Sequence, residues 1–417
     1  MSPITTTQPY SQADADRPGH TPTLIASFLH FDLSFMLWVL LGALGISIAE
    51  SVGLSPSEKG LMVAVPILTG SLLRIPLGVL GDRVGGKRVG IGMLVFLFIP
   101  LTLGWLMGDG LPSLLAIGLM LGSAGASFAV ALPLASKWYS PKRQGLAMGV
   151  AAAGNSGTVI ANLAAPRIAE VVGWHNVLGL AMLPLALVLL AFALLAKDSP
   201  RDAVNPPLSS HFKALGHGDM WWFCLLYSVT FGGYVGLSSF LPLLLRDQYA
   251  LDAVSAGGIT ALAAFVGSGI RPIGGYLADR FGGVRLLTVV LAGIAATYML
   301  VSTLPVLEIT TALLVAGMAF FGIGNGSVFQ LVPQRFRNEI GIATGTVGAI
   351  GGLGGFFLPI LLGGIKEASG SFASAFLILA AVAAFALVVL RILVVLEHGW
   401  RVAWTTGTSP AMSMERV

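Results

Sequence analysis

Charge is scarce in this chain. Only 10% of its 417 residues are Asp, Glu, Lys or Arg, whereas 55% are hydrophobic and the mean hydropathy is +0.87. This composition excludes an ordinary soluble domain, which needs a charged surface. The basic residues lie between apolar runs and form no patch, so the net charge of +4 does not indicate nucleic-acid binding.

Cysteine and histidine are also rare, with Cys224 as the single cysteine and six histidines in all. One cysteine excludes an intrachain disulfide. The sequence contains no HExxH, no GxSxG and no His/Cys cluster with metal-ligand spacing, so it predicts no enzyme, no metal site and no cofactor. The first residues lack the basic segment and apolar core of a signal peptide, so no cleaved leader is expected.

Apolar runs of about 20 residues recur along the chain, which is the length that crosses a bilayer as a helix. They are too continuous for the alternating strands of a membrane barrel. We therefore predict an all-α membrane protein with about 12 transmembrane helices in two pseudo-symmetric six-helix halves. The predicted spans are 28–49, 58–80, 88–107, 112–136, 144–166, 174–196, 220–245, 255–278, 284–304, 308–333, 340–364 and 371–396.

These spans imply a domain plan and an orientation. The plan is a disordered cytoplasmic tail at 1–22, a half at 23–197, a cytoplasmic connector at 198–218, a half at 219–397 and a cytoplasmic tail at 398–417. Seventeen Lys and Arg residues lie on the side of the termini, four lie on the opposite side and two lie inside spans. Because cytoplasmic loops are enriched in Lys and Arg, we expect both termini on the cytoplasmic side of the cell's inner membrane.

One long motif occurs twice. GSLLRIPLGVLGDRVGGKR, at 70–88, returns as GSGIRPIGGYLADRFGGVR, at 267–285, with a constant offset of 197 residues. A repeat at about half the chain length indicates two similar halves. Each copy ends in an Asp-Arg pair and a Gly-Gly turn. The charged residues of the two pairs are Asp82, Arg83, Asp279 and Arg280. They are either solvated loop charges or a cytoplasmic gate whose contacts break and re-form during alternating access.

Each copy also carries an arginine inside its apolar run. Arg74 and Arg271 lie eight residues before the Asp-Arg pairs, roughly 12 Å along a helix and near the middle of a ~30 Å core. An unpaired arginine at this depth costs roughly 2.5–3.5 kcal/mol or more. Of the 19 acids, only Asp32 lies appreciably within a span. We infer that the partner is an anionic ligand, since the forked guanidinium suits a planar oxyanion. The alternative is that each arginine bonds helix carbonyls and packs structurally.

The fifth and eleventh spans are rich in glycine. They contain GVAAAGNSGTVIANLAAP, at 149–166, and GTVGAIGGLGGFFLP, at 345–359. Small residues let helices approach closely, so tight packing is one interpretation and a sliding surface between the halves is the other. Asn155 within the run is expected to reach a polar ligand or another helix. The glycines expected to form the packing or sliding surface are Gly154, Gly157, Gly351, Gly352, Gly354 and Gly355.

Two six-helix halves in parallel repeat resemble the major facilitator superfamily, and both Asp-Arg runs resemble its loop signature. AAGNSG and GAIGGLGGFFLP resemble the paired nitrate signatures of its nitrate/nitrite porter family, as do GASF at 125–128 and LLY at 225–227. Ser156 departs from that pattern, in which methionine commonly follows the asparagine, and this weakens the subtype assignment more than the substrate class. The resemblance implies two clamping arginines, two hydrogen-bond donors and one packing ring, namely Arg74, Arg271, Asn155, Tyr227 and Phe128. Plain core packing for Phe128 and an interfacial position for Tyr227 are the alternatives.

The sequence thus predicts a secondary transporter that imports nitrate, with nitrite as a second substrate, by proton-linked alternating access for nitrate assimilation. Nitrate/nitrite exchange, transport of another small anion, and a sensor without flux are the alternatives. Asp32, close to His30, is the one candidate proton site in the first span, and solvation at the helix end is its alternative role. We expect a monomer whose partners are the anion, protons and the lipid bilayer.

Overall fold

The computed structural model describes residues 19–139, 150–151, 153–199, 216–336 and 340–406. Helices account for nearly all of these residues, which confirms the predicted all-α class. Ten helices in the described ranges are long and apolar enough to cross a membrane. The two predicted spans missing from these ten are the first, which is divided into shorter segments, and the fifth, which is described only in part. With them the number of spans is the predicted twelve. The tail at 1–22 and the connector at 198–218 lie mostly outside the described residues.

The helices follow the predicted order, with α1 divided into three segments and α5 containing a short 3-10 turn. In the N-terminal half they are α1 (Thr21–Trp38, Leu40–Ala43 and Gly45–Val52), α2 (Pro56–Val84), α3 (Gly86–Met107), α4 (Leu111–Ser136), α5 (Ala153–Ser156 and Gly157–Val172) and α6 (Trp174–Leu195). In the C-terminal half they are α7 (Gly218–Tyr249), α8 (Ala253–Phe281), α9 (Gly283–Val301), α10 (Leu307–Arg335), α11 (Ile340–Ser369), α12 (Ala373–Leu396) and the short α13 (His398–Thr406).

The Gly-Gly turns of the repeated motif have the same geometry in both halves. Gly85 ends α2 with φ +102° and Gly282 ends α8 with φ +91°. Only glycine adopts such angles without strain, so the first glycine of each pair is required by the turn. We call the end of the bundle that carries these turns the inner end, and the opposite end the outer end. The inner end is the one that the sequence predicts to be cytoplasmic.

The two halves meet along α2 with α11 and along α5 with α8. Glycines bring these backbones together. A Cβ on Gly60 of α2 would meet the carbonyl of Pro359 on α11, and a Cβ on Gly257 of α8 would meet α5 at Asn162 and Pro166. Close backbone approach of this kind is how small residues hold membrane helices together.

Ion pairs join the two halves at the outer end. Lys59 Nζ of α2 lies 2.8 Å from Asp247 Oδ1 of α7, and Arg246 Nη2 of α7 lies 2.6 Å from Glu50 Oε1 of α1. Near them, Glu367 of α11 accepts hydrogen bonds from the first turn of α2. We call these two ion pairs the outer latch. The outer end is therefore closed between the halves.

The signature glycines do not all lie between the halves. Positions 154 and 157 face α1 of their own half at Phe31 and Asp32, and positions 351 and 354 face α7 of theirs at Tyr227 and Ser228. The expectation of a sliding surface between halves is therefore wrong for these four, whose glycines allow close packing inside each half. Of the remaining two, Gly352 faces α2 of the other half at Ser71, and Gly355 lies between α7 of its own half at Gly232 and α2 of the other half at Ile67.

Candidate functional site

Arg74 is buried at the centre of the bundle, with 1% of its surface exposed. Its Nε donates to the carbonyl of Gly125 on α4 at 3.1 Å, and its Nη1 donates to the carbonyl of Gly348 on α11 at 2.5 Å. Its Nη2 is buried and has no hydrogen-bond partner among the described residues. Arg74 thus bonds both halves and keeps one donor nitrogen free.

The GASF motif has a clear role in placing this side chain. α4 tightens to a 3-10 helix over Gly122–Ser127 before Phe128 begins a regular turn. A Cβ on Gly125 would collide with the indole of Trp38, whose Nε1 donates to the Pro66 carbonyl at 2.8 Å. Glycine at this position therefore admits the indole and presents its own carbonyl to Arg74.

Aromatic rings surround the Arg74 guanidinium on three sides. Its Cζ lies 5.0 Å from the ring centroid of Phe231, 5.2 Å from that of Phe128 and 5.5 Å from that of Trp38. The faces of aromatic rings attract a cation, which offsets part of the cost of burying it. Phe128, predicted to pack on the anion, lies against the arginine that would bind that anion.

Arg271 occupies the equivalent place in the other half. α8 breaks at Ile270 and resumes at Arg271–Phe281, because Pro272 has no N–H to continue the hydrogen-bond ladder. The half-buried Arg271 donates from Nη2 to the hydroxyl of Tyr227 at 3.4 Å, and its Cζ lies 5.5 Å from the ring of Phe329. Its Nη1 is buried without a partner among the described residues.

A π-helical turn over Ser228–Gly232 on α7 aligns the rings that connect the arginines. The rings of Tyr227 and Phe231 are parallel within 1° and their centroids are 4.9 Å apart. Phe329 lies 4.9 Å from Tyr227 and 6.0 Å from Phe128. Single π turns inside α-helices are frequent at functional sites. These four rings form one wall that runs from Arg74 to Arg271.

The chemistry of this site favours an anion. Each guanidinium retains one buried nitrogen without an acceptor, and neither has a carboxylate partner in the described part of the chain. Two planar cations with free donors and aromatic neighbours suit a small planar oxyanion, which would accept the unmet hydrogen bonds and neutralise the charge.

Asn155 is buried in the 3-10 turn Ala153–Ser156, with 4% of its surface exposed. Its Oδ1 has no partner, and it forms no hydrogen bond with Arg74, Arg271 or Tyr227 among the residues described here. The structure therefore brings together both arginines, Tyr227 and Phe128. The role of Asn155 as a donor to the anion stays a prediction.

That role can be measured directly. Asn155→Ala should weaken anion binding by about 0.5–2 kcal/mol, the scale of one lost hydrogen bond. Binding to purified protein would be followed by calorimetry. The matched control is Asn162→Ala on the same helix, where a buried amide donates to the carbonyl of Thr158 and lies two turns farther out. Equal affinities for Asn155→Ala and the unmodified protein would make Asn155 a packing residue.

Sequence reasoning missed four residues of the site. Phe231 had a usable signal, since it follows Tyr227 by four residues and therefore shares its helix face. Gly348 lies inside the recognised signature, but which carbonyl is free depends on packing. Trp38 and Phe329 are aromatic residues in apolar runs, and nothing in their spacing distinguishes them from core.

The predicted cytoplasmic gate lies at the inner end without linking the halves. Asp82 pairs with Lys137 of its own half at 3.0 Å, and Arg280 lies over the ring of Phe281. Arg83 and Asp279 are exposed. Among the described residues, none of the four charges pairs with the opposite half. The gate therefore stays a prediction for a state other than this one.

Asp32 has a specific partner. Its Oδ1 accepts a hydrogen bond of 2.5 Å from Ser156 Oγ, directly after Asn155. His30 points elsewhere, with Nε2 lying 3.2 Å from the carbonyl of Gly90 on α3. The departure from the family pattern at Ser156 thus supplies the hydroxyl that holds this half-buried acid beside the signature turn.

Comparison with known proteins is consistent with this geometry. The model of the Major Facilitator Superfamily matches residues 25–359. The nitrite extrusion protein of Bacillus subtilis is 36% identical over 85% of this chain and 90% of the relative. A probable nitrate transporter NarT of Staphylococcus epidermidis is 34% identical, covering 85% and 91%, and a probable nitrate/nitrite antiporter NarK1 of Thermus thermophilus is 34% identical, covering 84% and 86%.

Solved structures agree on the fold. A bacterial homologue of the human lysosomal transporter Spinster has a TM-score of 0.66 at 20% identity, covering 94% of this chain and 99% of that one. The human organic anion transporter MFSD10 has a TM-score of 0.66 at 16% identity, covering 89% and 99%. These likenesses show the fold alone. With the sequence matches, they establish that this chain is a membrane transporter of the major facilitator superfamily and belongs to its nitrate/nitrite porter family.

Proposed function

We propose that this chain imports nitrate, and nitrite as a second substrate, by alternating access across the cytoplasmic membrane. The observation that supports this most directly is the pair of arginines, one from each half, that each keep a buried donor without a partner. The names of the relatives, which include nitrate transporters and a nitrite extrusion protein, agree with a planar nitrogen oxyanion as the ligand.

The orientation follows from the distribution of charge. The inner end would face the cytoplasm, together with both termini, because most Lys and Arg residues lie on that side. The closed outer end would then correspond to a state from which the anion leaves inward. Import requires the outer latch to break, so that the halves rock about the anion held between Arg74 and Arg271.

Coupling to protons follows from the energetics. Moving an anion into a cell against an inside-negative potential costs about 2.3 kcal/mol per 100 mV. Symport with more than one proton, or exchange for an outgoing anion, meets this cost. Asp32 is half-buried beside the signature turn and bonded to Ser156, so protonation of its carboxylate would loosen α5 from α1 next to Asn155. We propose Asp32 as a proton site for import that serves nitrate assimilation.

Asp32→Asn tests this role. An amide keeps the shape of the carboxylate but cannot release a proton, so a pH gradient should no longer drive nitrate accumulation. Uptake by reconstituted vesicles would be measured with an acidic exterior and no internal anion. Accumulation should fall to the level that the unmodified protein reaches without a gradient, while exchange of internal for external nitrate continues.

Asp109→Asn is the matched control, because its carboxylate is 86% exposed in the loop before α4. It should accumulate nitrate normally. Gradient-driven accumulation by Asp32→Asn at the normal level would overturn the proton role of Asp32, and α5 packing would remain as the function of the pair with Ser156.

Nitrate/nitrite exchange is the second candidate function. It is favoured by the absence of a carboxylate next to the two arginines in the described residues and by the printed name of the Thermus relative. Vesicles loaded with nitrite and kept at equal pH distinguish the two. Uptake of nitrate that depends on internal nitrite and ignores the pH gradient would select exchange over symport.

Flux in vesicles also tests the class of function as a whole. Purified protein in liposomes should carry labelled nitrate and be inhibited by nitrite. Binding of nitrate without any flux, under either a pH gradient or internal nitrite, would instead identify a sensor.

A further inference from the structure

The short C-terminal helix α13 is fastened to the inner end of the C-terminal half. Trp400 Nε1 donates to Asp219 Oδ1 at 2.8 Å, and Arg335 Nε donates to Asp219 Oδ2 at 2.6 Å. Trp400 and Ala403 are buried against the bundle. α13 therefore has a fixed place at the level where α7, α9, α10 and α12 reach the membrane surface.

Three arginines lie at the exposed side of this helix, and one of them, Arg401, belongs to the helix itself. Trp404 has Arg391 of α12 over its ring at 4.3 Å and Arg285 of α9 at 5.9 Å. Arg285 Nη2 also donates to the carbonyl of Thr405 at 2.9 Å, and Arg401 donates to the carbonyl of Val395. We call Arg285, Arg391, Arg401 and Trp404 the arginine–tryptophan patch.

The positive charge of this patch exceeds the negative charge near it. All three arginines are exposed, and within the described ranges none of them has a carboxylate partner. Of the nearby acids, Asp219 is already bonded to Arg335 and Trp400, and the exposed Glu397, four residues before Arg401, leaves a net excess of two positive charges. The patch thus presents three exposed guanidinium groups with donors that carboxylates do not occupy.

Its position relative to lipid is indicated by α12. Arg391 lies among side chains that point away from the bundle, with Val388 54%, Ile392 48% and Val395 61% exposed. It lies five residues before the end of α12 at Leu396, roughly 8 Å along the helix. A cation at the border of the hydrocarbon is costly unless its head reaches the interface or meets an anion there.

The N-terminal half has no arginine at the position equivalent to Arg391. At the repeat offset of 197 residues, Arg391 corresponds to Leu194, which is 69% exposed, while Arg285 corresponds to Arg88. The general excess of positive charge on the inner side explains Arg88 and Arg285 alike. It does not explain an arginine at the lipid-facing position where the other half has leucine.

We propose that the arginine–tryptophan patch binds the headgroup of an anionic phospholipid in the leaflet at the inner end. The guanidinium groups would hold the phosphate by charge-assisted hydrogen bonds, and Trp404 would lie at the headgroup level beside the acyl chains. Each basic residue near such a surface contributes on the order of a fivefold preference for anionic lipid. Nucleotides and free phosphate lack the acyl chains that the exposed face of α12 would contact.

The test uses the full chain in nanodiscs that contain phosphatidylcholine and phosphatidylglycerol, with the lipids retained by the protein after detergent extraction counted by native mass spectrometry. The unmodified protein should retain phosphatidylglycerol in clear excess over its share of the bilayer. Arg391→Gln should reduce that excess roughly fivefold, and the combined variant with Arg285→Gln and Arg401→Gln should abolish it.

Arg88→Gln is the matched control, because Arg88 is the counterpart of Arg285 in the N-terminal half and its loss removes the same charge from the inner side. It should leave the excess unchanged. Equal retention of the two lipids by the unmodified protein, or equal loss in Arg88→Gln and Arg391→Gln, would overturn the proposal. The single variant Arg391→Gln keeps the test decisive if the triple variant does not fold. Because no transport is measured, the result is independent of the proposed substrate.

Discussion

Arg271→Lys should lose most nitrate transport although it keeps the positive charge, and Arg74→Lys should do the same. Lysine offers a point ammonium in place of a planar fork, so it cannot present one nitrogen to a protein acceptor and a second one to the anion. Two nitrogens of Arg74 donate to carbonyls, and the third has no protein acceptor and is left for the anion. Loss of one charge-assisted hydrogen bond costs ~1.5–3 kcal/mol, which corresponds to at least a tenfold fall in uptake.

Initial rates of labelled nitrate uptake in proteoliposomes measure this effect. The control is Arg167→Lys. Arg167 lies on α5 far from the site, and its exposed guanidinium donates to the carbonyl of Leu163. It should transport at the normal rate. If Arg271→Lys or Arg74→Lys matched that rate, charge alone would suffice and the forked clamp would be the wrong description.

Gly354→Leu should reduce anion binding and flux together. A Cβ at this position would lie 2.5 Å from the carbonyl oxygen of Ser228, in the π turn that places Tyr227 and Phe231. A leucine would push α7 away from α11 and shift both rings relative to the arginines. Overpacking of this kind costs typically ~1–3 kcal/mol. Binding by calorimetry and uptake in vesicles, on the same preparation, would show the two losses.

Gly258→Leu provides the comparison for added bulk, because a Cβ there would meet nothing within 4 Å. It should bind and transport normally. Normal binding by Gly354→Leu with flux abolished would instead mean that the glycine serves the movement of the halves, as its sequence pattern first suggests.

Much of the fold could be predicted because membrane crossing constrains sequence strongly. A run of about 20 apolar residues has few structural alternatives, and the 197-residue repeat indicated two related halves. The 3-10 segment in α4 and the π turn in α7 were not predictable. Both consist largely of small and hydroxyl residues, GSAGAS and SVTFG, which also occur in regular membrane helices, so the irregularity is set by tertiary packing and leaves no periodic signal.

The site was predicted in part for a similar reason. An arginine in a span is conspicuous, so Arg74 and Arg271 could be found from composition alone. How each one is satisfied depends on neighbours from distant helices, such as the carbonyls of Gly125 and Gly348. From the sequence, hydrogen bonding to carbonyls and binding of an anion were alternative roles for each arginine. In the structure Arg74 bonds two carbonyls and still has a nitrogen to offer.

The outer latch has a further consequence for the range over which the halves attract each other. Glu50 and Lys59 leave the N-terminal contribution to it neutral, and Arg246 and Asp247 do the same for the C-terminal one. The attraction between two neutral groups of paired charges falls off faster with distance than the attraction between two net charges. Salt screens the remaining attraction beyond about 8 Å. The outer latch therefore opposes only the first few ångströms of separation. Once the outer end is open, the electrostatic attraction between these charges is too weak to close it again.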